Sequence, residues 1–264
     1  MASAAPRVWV TRPEGQAQAW VDALRAQGIA AEAFPLIEIA PLADRAPLQA
    51  AWRGVVDCAA LMFVSANAVT HFMACRPEGL VPTAQAWSTG PGTAQALLAT
   101  GWPPAQIRSP AADAPRFDSE ALWALVADEV QAWVQAPSAP QVLIVRGADA
   151  EGQLAGRDWL AQRLEQAGVR VRQCVAYARR APALDAAALA RARQALAQGD
   201  WWLFSSAEAA QNLLQALPEA PGPQARALAT HPRIAERLRA QGWHRVEVVP
   251  APLEAQVASI KSLA

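Results

Sequence analysis

The chain contains two near copies of one short stretch, STGPGTAQALLATGW (88–102) and ATHPRIAERLRAQGW (229–243). Seven of their fifteen positions carry the same residue: Thr, Pro, Ala, Leu, Ala, Gly and Trp. Each copy predicts a turn followed by a helix, because proline is tolerated in the first helical turn and glycine commonly ends a helix. A chain that repeats such a unit is predicted to contain two similar domains.

The repeat extends beyond this turn and helix. Residues 61–73 align with residues 202–214, and both alignments have the same offset of 141 positions. Two earlier pairs have smaller offsets: Arg12 with Arg146, 134 positions apart, and Gly28 with Gly168, 140 positions apart. The second copy therefore has six additional residues between these positions, which we expect in the loop around ADAEGQLAG (148–156). A constant offset across separate motifs indicates an internal duplication.

Short strand-like runs alternate with longer helical runs along the chain. The predicted strands lie near residues 8–11, 32–35, 60–64, 84–89, 141–147, 169–177, 201–206, 225–230 and 246–250. The predicted helices include both quoted copies, the stretches that end near Gly28 and Gly168, the stretch that follows residue 206, and residues 65–74, 117–133 and 185–197. The segment PSAP (137–140) is expected to break the pattern before it restarts. Alternating strands and helices predict the α/β class with mostly parallel sheets.

Composition limits the class of protein. The formal net charge is zero, which argues against a general nucleic-acid binder. No run of about 18 apolar residues occurs, and the N-terminus lacks a signal peptide's apolar core, so we expect neither a membrane span nor a signal peptide. Three scattered cysteines lack disulfide spacing, which fits a reducing cytoplasm, and three histidines lack metal-site spacing. His71 and Cys75 stand four apart on a predicted helix, where a packed face is favoured over a metal ligand pair.

Polar side chains follow several predicted strands. They occur at Thr11-Arg12, Ser65-Ala66-Asn67, Thr89-Gly90-Pro91-Gly92-Thr93 and Ser205-Ser206. Parallel strands present their carboxyl ends to ligands, and the free N–H groups of helix N-termini favour anions. The bare pattern therefore predicts two lobes that bind an acidic ligand in the cleft between them. It contains no phosphate-binding loop, no dinucleotide-binding glycine motif and no nucleophile elbow.

Nine short motifs occur in order across nearly the whole chain: VTRP (10–13), FPLIEI (34–39), FVSANAV (63–69), GPGTA (90–94), FDSEAL (117–122), LIVRG (143–147), YARR (177–180), FSSAEA (204–209) and ATHPRIA (229–235). Together they resemble the uroporphyrinogen-III synthase family. The resemblance implies two flavodoxin-like parallel-sheet lobes joined by a two-stranded linker. It places residues 1–36 plus 180–264 in a discontinuous lobe, 40–175 in the other lobe, and linker strands near 36–41 and 174–182.

The resemblance also implies an enzyme that uses no metal and no organic cofactor. Its implied substrate is a small molecule, the linear tetrapyrrole hydroxymethylbilane. The reaction eliminates the hydroxyl group, inverts the last pyrrole and closes the ring. Because the same substrate can close without inversion, the protein must hold it so that the substituted pyrrole carbon attacks the azafulvene first and gives a spiro intermediate. Positioning of this kind contributes roughly 7–11 kcal/mol to catalysis.

The resemblance assigns the catalytic role to Tyr177, the only tyrosine of the chain. It places this residue in the cleft, where its phenol donates a hydrogen bond to the departing hydroxyl group. A phenol is a weak acid at neutral pH, so its orientation decides its effect. The alternative interpretation is a tyrosine that packs on the sheet.

Ten further residues are predicted to bind the substrate: Thr11, Arg12, Ser65, Ala66, Thr93, Ser119, Arg146, Ser205, Ser206 and Arg233. Each has a structural alternative, since the hydroxyl groups also fit helix caps and the arginines also fit salt bridges within their own lobes. The two copies differ, because Ile234 replaces Thr93 and because His231 and Arg233 replace two glycines. Substrate contact and a surface position fit Arg233 and His231 equally.

The resemblance therefore implies a cytoplasmic, cofactor-free uroporphyrinogen-III synthase that is a monomer, because the cleft forms within one chain. It has no nucleic-acid or membrane partner, and transient contact with the preceding pathway enzyme fits this interpretation. The alternative is a non-catalytic two-lobed binder or sensor of an acidic small molecule, which could have lost Tyr177. A flavodoxin-like regulatory module would need a hydroxyl-rich phosphate loop and an exposed acidic pocket, and the sequence predicts neither.

Overall fold

The structure is a computed structural model that describes residues 7–80, 82–114, 116–135, 140–148, 154, 159–219, 221–250 and 252–262. The strands are β1 (Val8–Val10), β2 (Ala31–Ala33), β3 (Glu38–Pro41), β4 (Ala60–Phe63), β5 (Gln85–Ser88), β6 (Ile107–Arg108), β7 (Gln141–Ala148), β8 (Arg170–Arg180), β9 (Trp201–Phe204), β10 (Arg226–Ala229) and β11 (Arg245–Val248). The helices are α1 (Glu14–Ala26), α2 (Ala46–Arg53), α3 (Ala66–Met73), α4 (Pro91–Ala99), α5 (Ser119–Val134), α6 (Trp159–Gln166), α7 (Ala186–Gln198), α8 (Ala207–Ala216), α9 (Pro232–Ala240) and α10 (Leu253–Lys261). Single turns of 3-10 helix occupy Val55–Asp57 and Pro104–Gln106. Within these ranges, no helix is long and apolar enough to cross a membrane.

The predicted α/β class is confirmed, and its two sheets are predominantly parallel. One sheet has the strand order β11-β10-β9-β1-β2, and the other has the order β3-β8-β7-β4-β5-β6. Neighbouring strands are parallel throughout the first sheet and from β8 to β6 in the second. Counted along the chain from β1, the first sheet has the 2-1-3-4-5 order of flavodoxin-like folds. The second has the same layout, with β8 and β7 in the places of β2 and β1 and with β3 added at the edge.

The internal duplication is visible in the element boundaries. Strands β4 and β5 and helices α3 and α4 each begin 141 positions before their counterparts β9, β10, α8 and α9, as Ala60 does before Trp201. Sequence and structure therefore give the same offset for the repeated strand-helix units. The predicted break at 137–140 and the predicted insertion at 148–156 lie mostly outside the described residues.

The chain divides into two compact units. The first unit combines the residues up to Glu38 with those from Arg180 onward, and the second unit runs from Ile39 to Arg179. Strand β3 lies beside β8 at the edge of the second sheet. The domain limits inferred from the family resemblance, and the role of these strands as a linker, stay predictions.

The second sheet is buried on both faces, as a parallel sheet between helices must be. All four residues of β4 are buried. Leu61 and Phe63 pack on the face covered by α2, α3 and α4, whereas Ala60 and Met62 pack on the face covered by α5 and α6. The second sheet therefore lies between two layers of helices, with α2, α3 and α4 on one face and α5 and α6 on the other.

Two helices, α2 and α10, are absent from the sequence-based prediction. Helix α2 has only eight residues, and Arg45, directly before it, is not a capping residue; the Asp44 carboxylate accepts from the Ala46 N–H at 2.8 Å instead. Helix α10 begins directly after Pro252, without a capping side chain. Short helices without a capping residue directly before them lack the pattern on which a sequence-based prediction of helix starts depends.

Strands β7 and β8 form a bulge that brings Gly147 opposite Tyr177. Their register is regular up to Arg146 and shifts between Arg146 and Gly147. The Tyr177 ring lies so close to the Gly147 backbone that an added Cβ would be 2.6 Å from the ring Cζ. The position therefore requires glycine because of a close approach, a common use of glycine within strands.

We expect Gly147→Ala to lower the free energy of unfolding by about 1–3 kcal/mol, because its methyl group would overpack against a buried ring. Denaturant-induced unfolding measures this change. Gly15→Ala is the matched control, since no atom lies within 4 Å of an added Cβ at this position in α1. There we expect stabilisation by about 0.5–1 kcal/mol. Equal effects of the two substitutions would contradict the close contact.

Candidate active site

A cavity of about 300 Å³ lies at one end of the second sheet. It is lined by Met62, Val64, Ser65, Thr89, Asp118, Ser119, Glu120, Ile144, Arg146, Gly147, Trp159, Leu160, Tyr177 and Arg179. The polar members follow β4 and β5, belong to the carboxyl-terminal parts of β7 and β8, or begin α5. Ligands of open parallel sheets bind outside this edge, so the position of the cavity is typical of a binding site.

Two helix N-termini lie at the cavity. Ser65 precedes α3 and accepts a hydrogen bond of 3.2 Å from the Ala68 N–H. Asp118 precedes α5 and accepts a hydrogen bond of 2.9 Å from the Ala121 N–H. Because a helix N-terminus carries a partial positive charge, both helices favour negative charge in the cavity.

Tyr177 joins the cavity to the hydrophobic core. Its side chain is 4% exposed, and it packs in the core that α2, α3 and α4 share with the sheet. Its Oη lies 3.1 Å from Ser65 Oγ, and either oxygen can be the donor. The His71 ring stacks on the phenol ring, with centroids 5.6 Å apart and planes inclined by 29°. The hydroxyl group therefore faces the cavity while the ring is held on the core side.

Two arginines supply positive charge to the same cavity. Arg146 is 3% exposed, and both Arg146 and Arg179 are lining residues. A guanidinium group is the side chain best suited to binding a carboxylate with two hydrogen bonds. The cavity thus combines hydroxyl donors, helix N-termini and guanidinium groups, which suits an acidic ligand.

The two acidic lining residues have a cationic partner outside the cavity. Arg116 Nη2 lies 2.6 Å from Asp118 and 3.7 Å from Glu120. Burial acts to raise the pKa of Asp118, but hydrogen bonds from Ala121 and Arg116 and the charge of Arg116 lower it more strongly. Asp118 is therefore ionised and paired at neutral pH, so its charge opposes an acidic ligand only weakly.

Four of the predicted site residues meet in this cavity: Tyr177, Ser65, Ser119 and Arg146. Ala66 and Thr93 belong to the same unit but do not line the cavity, and Thr93 is buried within α4. The prediction omitted Arg179, although it stands two positions after Tyr177 on one strand and so shares its face. It also omitted Thr89, although this residue directly follows β5 and begins the polar stretch at 89–93 noted in the sequence analysis.

Five predicted residues belong to the first unit: Thr11, Arg12, Ser205, Ser206 and Arg233. The Thr11 hydroxyl donates to the Leu203 carbonyl at 2.8 Å, and Ser206 caps α8. The Arg12 guanidinium lies 3.9 Å from the Trp20 ring centroid, and burial lowers its pKa to about 10. Arg233 is exposed, and Ser205 is half-buried. Their roles toward a ligand stay predictions.

Thiol groups are set apart from this cavity. Burial raises the pKa of Cys174 to about 11, with Arg172 opposing and Cys75 reinforcing the shift, and burial also raises the pKa of Cys58. Both are neutral thiols at neutral pH, a form that is a poor nucleophile. In the part of the chain that the structure describes, no three His, Cys, Asp or Glu side chains are grouped to hold a metal ion.

Comparison with known proteins agrees with this architecture. The family model described as Uroporphyrinogen-III synthase HemD matches residues 18–256. A mutant uroporphyrinogen III synthase from the extremely thermophilic bacterium Thermus thermophilus is 18% identical, with 98% of each chain covered and a TM-score of 0.57. The uroporphyrinogen-III synthetase from Helicobacter pylori is 16% identical, with 98% of this chain and 99% of that chain covered and a TM-score of 0.52. These two structures show a shared fold, and the family match extends over most of the sequence: the chain belongs to the uroporphyrinogen-III synthase family.

Proposed function

We propose that the cavity of the second unit holds the reacting end of linear hydroxymethylbilane, and that Tyr177 is the proton donor of the reaction. The family's members are cyclising lyases of haem biosynthesis, and this chain acts as one of them. One observation carries the choice of site. A buried phenol lies 3.1 Å from a serine hydroxyl in a cavity that two arginines also line.

The first chemical step is the loss of the substrate's hydroxyl group as water. This group must accept a proton while its C–O bond breaks and the neighbouring pyrrole nitrogen supplies the electron pair that forms the azafulvene. A general acid has to lie within hydrogen-bond reach of the group that it protonates. Tyr177 gives this proton, and a proton released at ring closure restores the phenol.

A short chain of hydrogen bonds explains how a weak acid serves this step. Ser65 Oγ accepts from the Ala68 N–H at 3.2 Å, and so it is free to donate its own proton to Tyr177 Oη, 3.1 Å away. The phenol proton then remains available for the substrate. As that proton leaves, the phenolate is stabilised by Ser65 and by the positive end of α3.

Carboxylate recognition holds the substrate beside Tyr177. We assign carboxylate binding in the second unit to the guanidinium groups of Arg146 and Arg179 and to the Ser119 hydroxyl, because all three line the cavity. Ala66 and Thr93 then act by shaping the helix starts rather than by contact within the cavity. Fixing several carboxylates restricts the substrate to the conformation in which inversion precedes closure.

The first unit supplies further anion-binding groups in this proposal. Thr11, Arg12, Ser205, Ser206 and Arg233 are candidates for other substrate carboxylates. Support comes from Arg12, whose pKa of about 10 keeps its guanidinium charged at neutral pH.

We propose in addition that the protein acts as a cytoplasmic monomer, since one chain contains both repeats, and that it receives its substrate by transient contact with the preceding enzyme.

Product identity is the first test. Freshly made hydroxymethylbilane is incubated with the protein, the products are oxidised, and isomers I and III are separated by chromatography. We expect isomer III in excess over a control without protein, because closure in solution proceeds without inversion. Isomer I alone from a folded protein would contradict the proposed activity and favour the non-catalytic binder of an acidic small molecule.

Tyr177→Phe tests the proton donor. We expect kcat to fall about 100-fold or more while KM changes little, because the substitution removes only the donor and general acids contribute about 10²–10⁴-fold. Steady-state kinetics with isomer III as the measured product gives both constants. The melting temperature checks that the ring still packs. An unchanged kcat would exclude Tyr177 as the donor.

Ser65→Ala tests the hydrogen-bond chain. We expect a loss of about 1 kcal/mol of stability from the missing helix cap, together with a lower kcat, since the phenolate loses its donor. Asp185→Ala is the control, because Asp185 caps α7 by accepting from the Ala188 N–H at 2.7 Å and lies at no predicted site. Its loss should lower stability to a similar extent and leave kcat unchanged. Parallel kcat losses in both variants would mean that only stability matters.

A further inference from the structure

His71 contacts the proposed proton donor without lining the cavity. Its imidazole stacks on the Tyr177 ring at a centroid distance of 5.6 Å. The Gly147 backbone touches the same ring, since an added Cβ would lie 2.6 Å from Cζ and 3.0 Å from Oη. Ser65 holds the hydroxyl group itself. Three contacts thus define where the phenol lies, one from β7 and two from α3 and its N-cap, and His71 makes the contact between rings.

The duplication provides an independent view of this helix position. Asn212 stands 141 positions after His71, on α8, and its Nδ2 donates to the Leu36 carbonyl at 2.7 Å. Leu36 directly precedes Ile37, which corresponds to Tyr177 at the 140-position offset of the Gly28 and Gly168 pair. In both units, therefore, the same helix position contacts corresponding segments of the chain, although Tyr177 lies within β8 and Leu36 lies three residues after the end of β2. The first unit uses a hydrogen bond to the backbone, and the second uses a stacked ring.

The environment of His71 favours a neutral ring. Its pKa is lowered, first by burial and second by the positive charge of Arg45, which precedes α2. Tyr177 on β8, which His71 contacts, and Cys75, one turn further along α3, belong to the same packed cluster. Protonation of His71 would therefore add a positive charge against the phenol ring, near the charge of Arg45 that already opposes it.

We propose that His71 is a positioning residue: its neutral imidazole, stacked on Tyr177, keeps the phenol hydroxyl beside Ser65 and directed into the cavity. His71 itself touches no substrate in this arrangement. The effect on catalysis rests on the proposed function of Tyr177. The effect on the ring does not, so the two can be measured separately.

The ring can be observed directly by NMR, because Tyr177 is the only tyrosine of the chain. Protein made with ring-labelled tyrosine gives signals from this residue alone. We expect these signals to shift as His71 is protonated, with a midpoint below the ordinary histidine pKa of about 6.5, since burial and Arg45 lower it. The shift should persist in His244→Ala, which removes an exposed histidine, and disappear in His71→Phe. Signals that do not respond to pH, or that respond equally in His71→Phe, would overturn the proposal.

Kinetics separates positioning from mere packing. We expect His71→Ala to lower kcat by about 10- to 100-fold with little change in KM, because a small misplacement of a catalytic group has an effect of this size. His71→Phe keeps a flat ring, so we expect it to keep most of the wild-type kcat. Its kcat should not decline at acid pH as the wild-type kcat does, because a phenylalanine ring cannot be protonated. His71→Asn copies the residue of the first unit but cannot stack, so it should resemble His71→Ala.

Two kinetic results would overturn the positioning role. One is a His71→Ala protein that loses stability but keeps the wild-type kcat. The other is a His71→Phe protein, folded by its melting temperature, that is as slow as His71→Ala, which would make the imidazole itself the acting group. If the wild-type protein produced no isomer III, the proposed function would fail, and the NMR titration would still decide whether His71 positions the ring.

Discussion

The close approach of the Tyr177 ring to the Gly147 backbone is the contact on which the candidate site depends. It exists because a bulge between β7 and β8 moves Gly147 opposite Tyr177, and because glycine leaves room for the ring. With the ring held there, the hydroxyl group reaches Ser65 at the start of α3, and the face of the ring meets His71. A core that is packed on both faces of the sheet then gives the phenol little freedom to move elsewhere.

Much of the fold could be predicted from the sequence, because the same signals occur twice. The turn-and-helix copies, with proline at the start and glycine at the end, correspond to α4 and α9. The features that were missed are those with weak local signals, such as α2, or those set by tertiary context. Strand β6 is an example of the second kind, since a two-residue edge strand is defined by its neighbour β5 rather than by its own periodicity.

The candidate site was predictable only in part. Polar residues at strand ends, together with the family resemblance, were enough to select Tyr177, Ser65, Ser119 and Arg146, which meet in one cavity. The sequence favoured a packed helix face for His71, and its stacking confirms that interpretation. The stacking of His71 on Tyr177 could not be predicted, because the two residues are 106 positions apart in the sequence and lie on a helix and a strand. A register shift next to Gly147 also cannot be read from residue types alone.

The two repeats carry different side chains at corresponding positions, so they are not interchangeable as binding surfaces. Two identical halves would offer equivalent surroundings to either end of a linear compound, although the ends of hydroxymethylbilane are chemically different. Here Ile37 corresponds to Tyr177 by the 140-position offset, and His231 caps α9 where Gly90 precedes α4. Tyr177 is the only tyrosine of the chain, so under the proposed function the head and tail of a bound substrate cannot be exchanged without losing the acid. The two halves therefore share one arrangement of strands and helices and differ in the side chains that carry the proposed chemistry.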